Sequence, residues 1–294
     1  MWIHGGSYVS GGASVPWYDP KHFVAESGVI LVSVQYRLSV LGFLYLNHGD
    51  APGNQGLLDQ LLAIKWVHNN VHSFGGDPAR VTLMGESAGA ASVNFHLLSP
   101  LSADLFRNAV LQSGTSIGSV YFLSTAETLL RNNDLARQLG CTRNSANGGG
   151  GPASDEHLVA CLRRLDARAL SDRATALMVT RWSKRSSNLT REVIAYRYAH
   201  WPDLESRAAN FDSLDHAVTD FMYLCPMREV ADAFARHNLA VFSYVYAERS
   251  VKSVYPDAYG SVHIDEVPFV LGTPRGPDND YPSRERYFSR QLIK

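Results

Sequence analysis

Val81-Thr82-Leu83-Met84-Gly85-Glu86-Ser87-Ala88-Gly89-Ala90-Ala91 is the stretch that decides the fold. A short strand, Val81 to Met84, runs straight into Gly-x-Ser-x-Gly, and small residues then open an apolar helix from Ala88 to Leu98. A strand ending in a tight turn that starts a helix is the setting of a nucleophile elbow. Its flanking glycines let the backbones approach, and the helix N-terminus favours a developing anion. The same pattern recurs from Gly114 through Ser116 to Gly118, but there Tyr121 and Phe122 follow with no immediate helix. Ser87 is therefore the candidate nucleophile, and Ser116 reads as part of a strand-end loop.

Strand and helix alternate on both sides of this segment. Val29 to Tyr36 is rich in β-branched residues and reads as a buried strand, and Ala109 to Gln112 as another. Between them a helix runs to about Asn70, with Leu57, Leu58, Leu61, Leu62, Ile64 and Val67 expected on one side. Strand, helix, strand implies an α/β fold with a central, mostly parallel sheet flanked by helices. The second half is more helical, with helices expected at Ala126 to Leu139, Asp155 to Leu165 and Pro226 to Asn238, and one strand at Val241 to Tyr246. Thr180 to Thr190 has little apolar periodicity and reads as a junction.

The chain has 294 residues, 45% hydrophobic and 19% charged, a composition that excludes disorder. Its 27 basic and 28 acidic residues leave a net charge of -1, so nothing global draws it to nucleic acid. A local excess of arginine and lysine between residues 161 and 200 is explained by a solvated face. No apolar run reaches the roughly 18 to 20 residues of a membrane span, and no signal sequence opens the chain. The 3 cysteines lack paired C-x-x-C spacing, so no metal site is expected. Cys141 and Cys161 flank a Gly/Asn/Ser-rich bulge, and two readings stay open from spacing alone: a disulfide-closed loop or two buried thiols. The sequon Asn188-Leu189-Thr190 points to glycosylation and an extracellular chain.

A serine nucleophile needs donors for its oxyanion and a base. Trp2-Ile3-His4-Gly5-Gly6-Ser7-Tyr8 is an apolar strand stub entering a glycine-rich loop, whose Gly6 and Ser7 amides could join that of Ala88. An ordinary turn is the competing reading. Six histidines follow Ser87, of which His96, His157 and His237 sit in expected helices and suit solvated roles. His263 instead follows a loop rich in Tyr, Pro and Gly beyond the last expected strand, where a loop-borne base belongs.

Six blocks together carry a resemblance. They are His4-Gly5-Gly6-Ser7-Tyr8, Val34-Gln35-Tyr36-Arg37-Leu38, Gly42-Phe43-Leu44, Ala51-Pro52-Gly53-Asn54-Gln55-Gly56-Leu57-Leu58-Asp59-Gln60, Phe74-Gly75-Gly76-Asp77-Pro78 and Gly85-Glu86-Ser87-Ala88-Gly89. In this order they resemble the type-B carboxylesterase and cholinesterase family, strongly to about Gly114 and more loosely beyond. The resemblance implies an α/β-hydrolase fold that is incomplete here, with Ser87 acylated, His263 as base, Gly6, Ser7 and Ala88 as oxyanion donors and Glu86 as the acidic neighbour of the serine. It also implies a Cys141–Cys161 disulfide, no cofactor, a small-molecule carboxylic ester as substrate and an extracellular chain, secreted or anchored. A homo-oligomer or a cell-surface partner is compatible with it, and a neuroligin-like adhesion protein without catalysis is the rival expectation.

The chain also departs from the family pattern. The family's acid is a glutamate in an Asn-x-Asp-Glu-Gly type segment, which is not found here, and Asp220, Asp265 and Glu266 are the substitutes to consider. One partial catalytic domain over residues 1–294 is expected, with an internal deletion near residues 178–192.

Overall fold

A computed structural model describes residues 1–118, 121–141, 155–182, 196–203, 205–276 and 280–294. Four strands form one parallel sheet in the order β2 (Ser33–Val34), β1 (Trp2–Ile3), β5 (Thr82–Glu86), β6 (Asn108–Gln112). Trp2 faces Ser33 on one side and Met84 on the other, while Gly85 pairs with Leu111. β3 (Tyr45–His48) and β4 (Ala51–Pro52) make a separate antiparallel pair.

The expected strand at Val29 to Tyr36 shortens to Ser33–Val34. β1 offers only two ladder residues before the chain enters the glycine-rich loop, so pairing stops there. Val29 and Ile30 are left 45% and 43% exposed.

In chain order the first helices are α1 (Lys21–Ser27), α2 (Ser39–Phe43), α3 (Gln55–Asn70) and α4 (Ala88–Leu98), followed by α5 (Thr125–Gln138), α6 (Asp155–Leu162) and α7 (Ala167–Trp182). Helix α3 buries Gln60, Leu61, Ile64 and Val67, but Leu58 and Leu62 face solvent. The six apolar residues span more of the wheel than one contact face can cover, so the helix buries the edge nearest the sheet. Ile3, Tyr36, Ile64, Val67, Leu83 and Val93 form the core between the sheet and helices α3 and α4.

A second core gathers Leu46, Leu135, Leu158 and Leu162 around Cys141. Cys141 and Cys161 form the disulfide, with their Cα atoms 5.7 Å apart, which decides between the two readings left open by spacing. Cys225 is a free, exposed thiol. The expected helix at Pro226 to Asn238 is present as Cys225–Arg236.

Val241 to Tyr246 does not form the expected strand. Among the described residues no neighbour pairs with it, and Phe242 and Val245 are 93% and 75% exposed. A β-run without an adjacent strand has no ladder to join. Asn188 and most of the expected 178–192 junction lie outside the described residues. No helix among those described is long and apolar enough to cross a membrane.

Candidate active site

β5 and α4 meet at Ser87, whose backbone adopts φ 57°, ψ -124°. A residue with a side chain rarely occupies this region, and such a conformation costs about 1–3 kcal/mol. Surrounding structure holds it: the Ser87 amide donates to the Gln112 carbonyl at 2.8 Å, tying the turn to the end of β6. Gly89 explains the second glycine of the motif, because a Cβ there would lie 2.0 Å from the Ile3 carbonyl oxygen.

The His4-Gly5-Gly6-Ser7 loop packs directly on this elbow. A Cβ on Gly5 would sit 2.8 Å from Oε2 of Glu86 and 3.0 Å from Cβ of Ser87. Gly6 has φ +112°, and Ser7 and Tyr8 are also left-handed, at 55° and 62°. The Gly6 carbonyl accepts from the amides of Val9 and Ser10, both at 3.0 Å. The amides of Gly6, Ser7 and Ala88 donate to no other described residue. Buried His4 stacks on Tyr36 at 4.5 Å, and the Tyr36 hydroxyl donates to the His4 carbonyl at 2.8 Å, which fixes the loop's base.

Ser87 Oγ lies 3.2 Å from the Tyr121 hydroxyl. His263 is brought to the same region, but its Nε2 approaches Glu86 Oε1 at 3.0 Å. This is ion-pair distance without hydrogen-bond alignment, since Oε1 has no hydrogen-bond partner among the described residues. Tyr223 stacks on the imidazole at 4.9 Å and 28°.

Burial, and secondarily the charge of Glu266, pushes the Glu86 carboxyl up to about 9. Burial also lifts Glu266 to about 7 and lowers His263 to about 4. The site therefore disfavours charge on each of the three groups.

None of the three substitute acids is bonded to His263. Asp220 accepts from the Tyr198 hydroxyl at 2.8 Å, Asp265 accepts from the Val262 amide at 3.1 Å, and Glu266 is buried with an unpartnered Oε1. Glu86 occupies the place beside the imidazole. Chain order hides this arrangement, because an acid is sought after the serine and Glu86 stands directly before it.

His96 overturns its expected solvated role. It is 4% exposed, with Nε2 3.1 Å from Gln60 Oε1 and Nδ1 3.4 Å from Ser102 Oγ. The face of α4 that carries it turns into the core, where Gln60 also donates to Ser92 Oγ, itself 3.2 Å from the Tyr8 hydroxyl. His157 and His237 are exposed as expected. Ser116 is buried, its amide and hydroxyl both donating to Asn94 Oδ1 at 2.9 and 2.8 Å, in keeping with a structural loop.

Tyr121, Tyr223 and the Gln60–Ser92–Tyr8 network were not anticipated. Tyrosine and glutamine in loops and helices carry no spacing signal, and only the fold brings them to the elbow.

A parallel sheet with a strained serine between strand and helix, backed by a glycine-rich loop and a buried glutamate, defines an α/β-hydrolase. The chain matches the Carboxylesterase family over residues 1–188 and 171–294 and belongs to that family. It is similar to the acetylcholinesterase of Bungarus fasciatus, with 31% identity covering 100% of this chain and 59% of the relative. The alignment runs over 368 positions against 294 residues here, so the relative has positions that face no residue of this chain.

Proposed function

We infer that the protein is a serine carboxylic-ester hydrolase of the cholinesterase-like type. The observation that carries this reading is Ser87 at φ 57°, ψ -124° between a parallel strand and a helix N-terminus. Ser87 Oγ attacks the carbonyl carbon of a small carboxylic ester and its proton passes to His263. The Gly6, Ser7 and Ala88 amides hold the oxyanion. The C–O bond to the alcohol breaks and the alcohol leaves with that proton. Water then adds to the acyl-enzyme, releasing the acid and restoring Ser87. The reaction as drawn needs no cofactor.

His263 is the acid–base group of this scheme, and Glu86 the nearest carboxylate to it. A single partial catalytic domain with a deletion near residues 178–192 accounts for the missing acid segment. An extracellular setting, secreted or anchored, fits the Cys141–Cys161 disulfide. Glycosylation at Asn188 belongs to the same reading, and a homo-oligomer or cell-surface partner is compatible with it.

One observation favours the rival, a catalytically silent neuroligin-like binding protein. Ser87 is engaged by Tyr121 and His263 by Glu86, so the two groups are not bonded to each other. Loss of the orienting carboxylate in a serine triad costs about 10⁴ in turnover. Labelling with a fluorophosphonate distinguishes the two. Stoichiometric labelling that disappears in Ser87→Ala establishes the nucleophile, whereas folded protein that never labels refutes the esterase reading.

A further inference from the structure

The second Gly-x-Ser-x-Gly, from Gly114 to Gly118, lies against the first. A Cβ on Gly114 would stand 2.2 Å from the Ser87 carbonyl oxygen, so only glycine lets this strand-end loop press on the elbow. Ser116 is pinned by Asn94, and two turns then carry the chain back. The Gly118 amide donates to the Thr115 carbonyl at 3.2 Å, and the Tyr121 amide to the Gly118 carbonyl at 3.0 Å. They deliver the Tyr121 hydroxyl to within 3.2 Å of Ser87 Oγ. Tyr121 is held from a second side as well. Its ring meets that of Tyr8 edge-on, with 6.3 Å between centroids, and Ser92 Oγ is 3.2 Å from the Tyr8 hydroxyl and 2.9 Å from the Ala88 carbonyl. Tyr8 directly follows Ser7, so Tyr121 packs against the loop that carries two of the candidate oxyanion donors.

Burial pushes the Tyr121 hydroxyl up to about 12, so the phenol keeps its proton near neutral pH and is a donor rather than a base. Phe43, Leu57 and Phe95 line an apolar cavity together with it, and in such surroundings a hydrogen bond is stronger than in water. On attack the bond between Oγ and the carbonyl carbon forms, the Oγ proton passes to His263 and the carbonyl π pair moves onto oxygen. Oγ is then an ester-bound oxygen and a poor acceptor, whereas the oxyanion two bonds away is charged, and hydrogen bonds to charged acceptors are roughly twice as strong. A donor already at Oγ follows that charge. We propose that Tyr121 is a catalytic residue, whose hydroxyl holds Ser87 Oγ at rest and adds a side-chain donor to the oxyanion in the transition state, keeping its own proton throughout. The proposal rests on the esterase reading.

The test compares the unmodified chain with Tyr121→Phe, which removes only the hydroxyl. Turnover of p-nitrophenyl acetate is measured beside inhibition by hexyl trifluoromethyl ketone, which adds to the serine as an oxyanion, and by hexyl methyl ketone, which binds without adding. Loss of one oxyanion donor should lower kcat by about 10² to 10³. KM should stay nearly unchanged, as for an interaction made only in the transition state. Binding of the trifluoromethyl ketone should weaken by a similar factor, and that of the methyl ketone should not change. Unchanged or faster turnover in folded Tyr121→Phe, or equal weakening of both ketones, overturns the role of Tyr121 while turnover by the unmodified chain leaves the esterase reading standing. If the folded, unmodified protein turns over no ester and takes up no fluorophosphonate, both readings fall together. Should Tyr121→Phe fail to fold, the unmodified chain decides: the trifluoromethyl ketone should red-shift a tyrosine absorption band that the methyl ketone leaves in place, and no such shift overturns the proposal.

Discussion

The imidazole of His263 turns Nε2 toward Glu86 Oε1, 3.0 Å away, while Ser87, the next residue along the chain from Glu86, holds its own hydroxyl 3.2 Å from Tyr121. His263 and Ser87 thus share a site but have separate partners. The contact is buried: Glu86 is 1% exposed and lies against the glycine-rich loop, and burial favours the uncharged form of both carboxyl and imidazole. The proposed esterase mechanism requires His263 to exchange that contact for one with Ser87.

Glu86 gives the site a pH-dependent stability. Its carboxyl is held up to about 9 when folded and returns to the ordinary carboxylate value of 4.5 when unfolded. A raised pKa contributes stability that is fully present below pH 4.5 and is lost as pH rises toward 9. Glu86→Gln removes this dependence. Its melting temperature relative to the unmodified protein should therefore rise progressively from pH 5 to pH 9, as followed by circular dichroism.

His96 acts at the other end of the scale. Burial lowers it to about 4 from 6.5, so its contribution is present above pH 6.5 and is lost as pH falls through 4. The buried neutral ring also bridges Gln60 and Ser102. His96→Gln should lower stability at pH 7 by about 1–3 kcal/mol, the cost of buried groups left without partners. The acid limb of a denaturation series between pH 6.5 and 4 should also become shallower.

Ser87 is a strained residue kept in place by its neighbours. Ser87→Gly adopts the same backbone without that strain, at the expense of greater unfolded-chain entropy. It should be at least as stable as the parent, by up to about 1 kcal/mol in urea denaturation, while losing phosphonate labelling. Lower stability in this variant would mean that the strain is not stored at the elbow.

Gly89 tolerates no side chain. The Gly89→Ala methyl would meet the Ile3 carbonyl oxygen at 2.0 Å, and backbone on both sides must shift to admit it. Destabilisation of about 3 kcal/mol is expected, the upper end of overpacking costs, with loss of labelling at Ser87. Equilibrium unfolding of the variant measures it directly.

The Cys141–Cys161 bridge closes a loop with a sequence separation of 20. Chain-entropy reasoning puts its contribution at about 3 kcal/mol. Cys141→Ser should reduce unfolding free energy by that amount, and reduction of the native protein should reproduce the effect.

Local sequence was enough for the elbow. Val81 to Met84, the glycines at 85 and 89 and the alanines after Ser87 specify strand, turn and helix within eleven residues, because close backbone approach leaves few residue types that fit. The parallel order of the sheet follows from alternation of strand and helix. Segments that depend on a distant partner were not legible. Val241 to Tyr246 has strand composition but no neighbour to pair with among the described residues, and Val29 to Tyr36 keeps only as much strand as β1 can match. His96 reads as an exposed helical polar residue until the packing of α4 on α3 turns it inward.

Sequence by itself therefore determined the family, the parallel α/β plan and Ser87 as candidate nucleophile, since these are carried by short contiguous patterns whose steric demands are local. Only the tertiary structure decided that the Cys141 and Cys161 thiols meet, that Glu86 faces His263, that Tyr121 stands at Ser87 and that an apolar cavity opens behind it. Each of these joins residues from separate elements, and the distance between such residues is set by how helices pack on a sheet, a quantity that no spacing along the chain encodes.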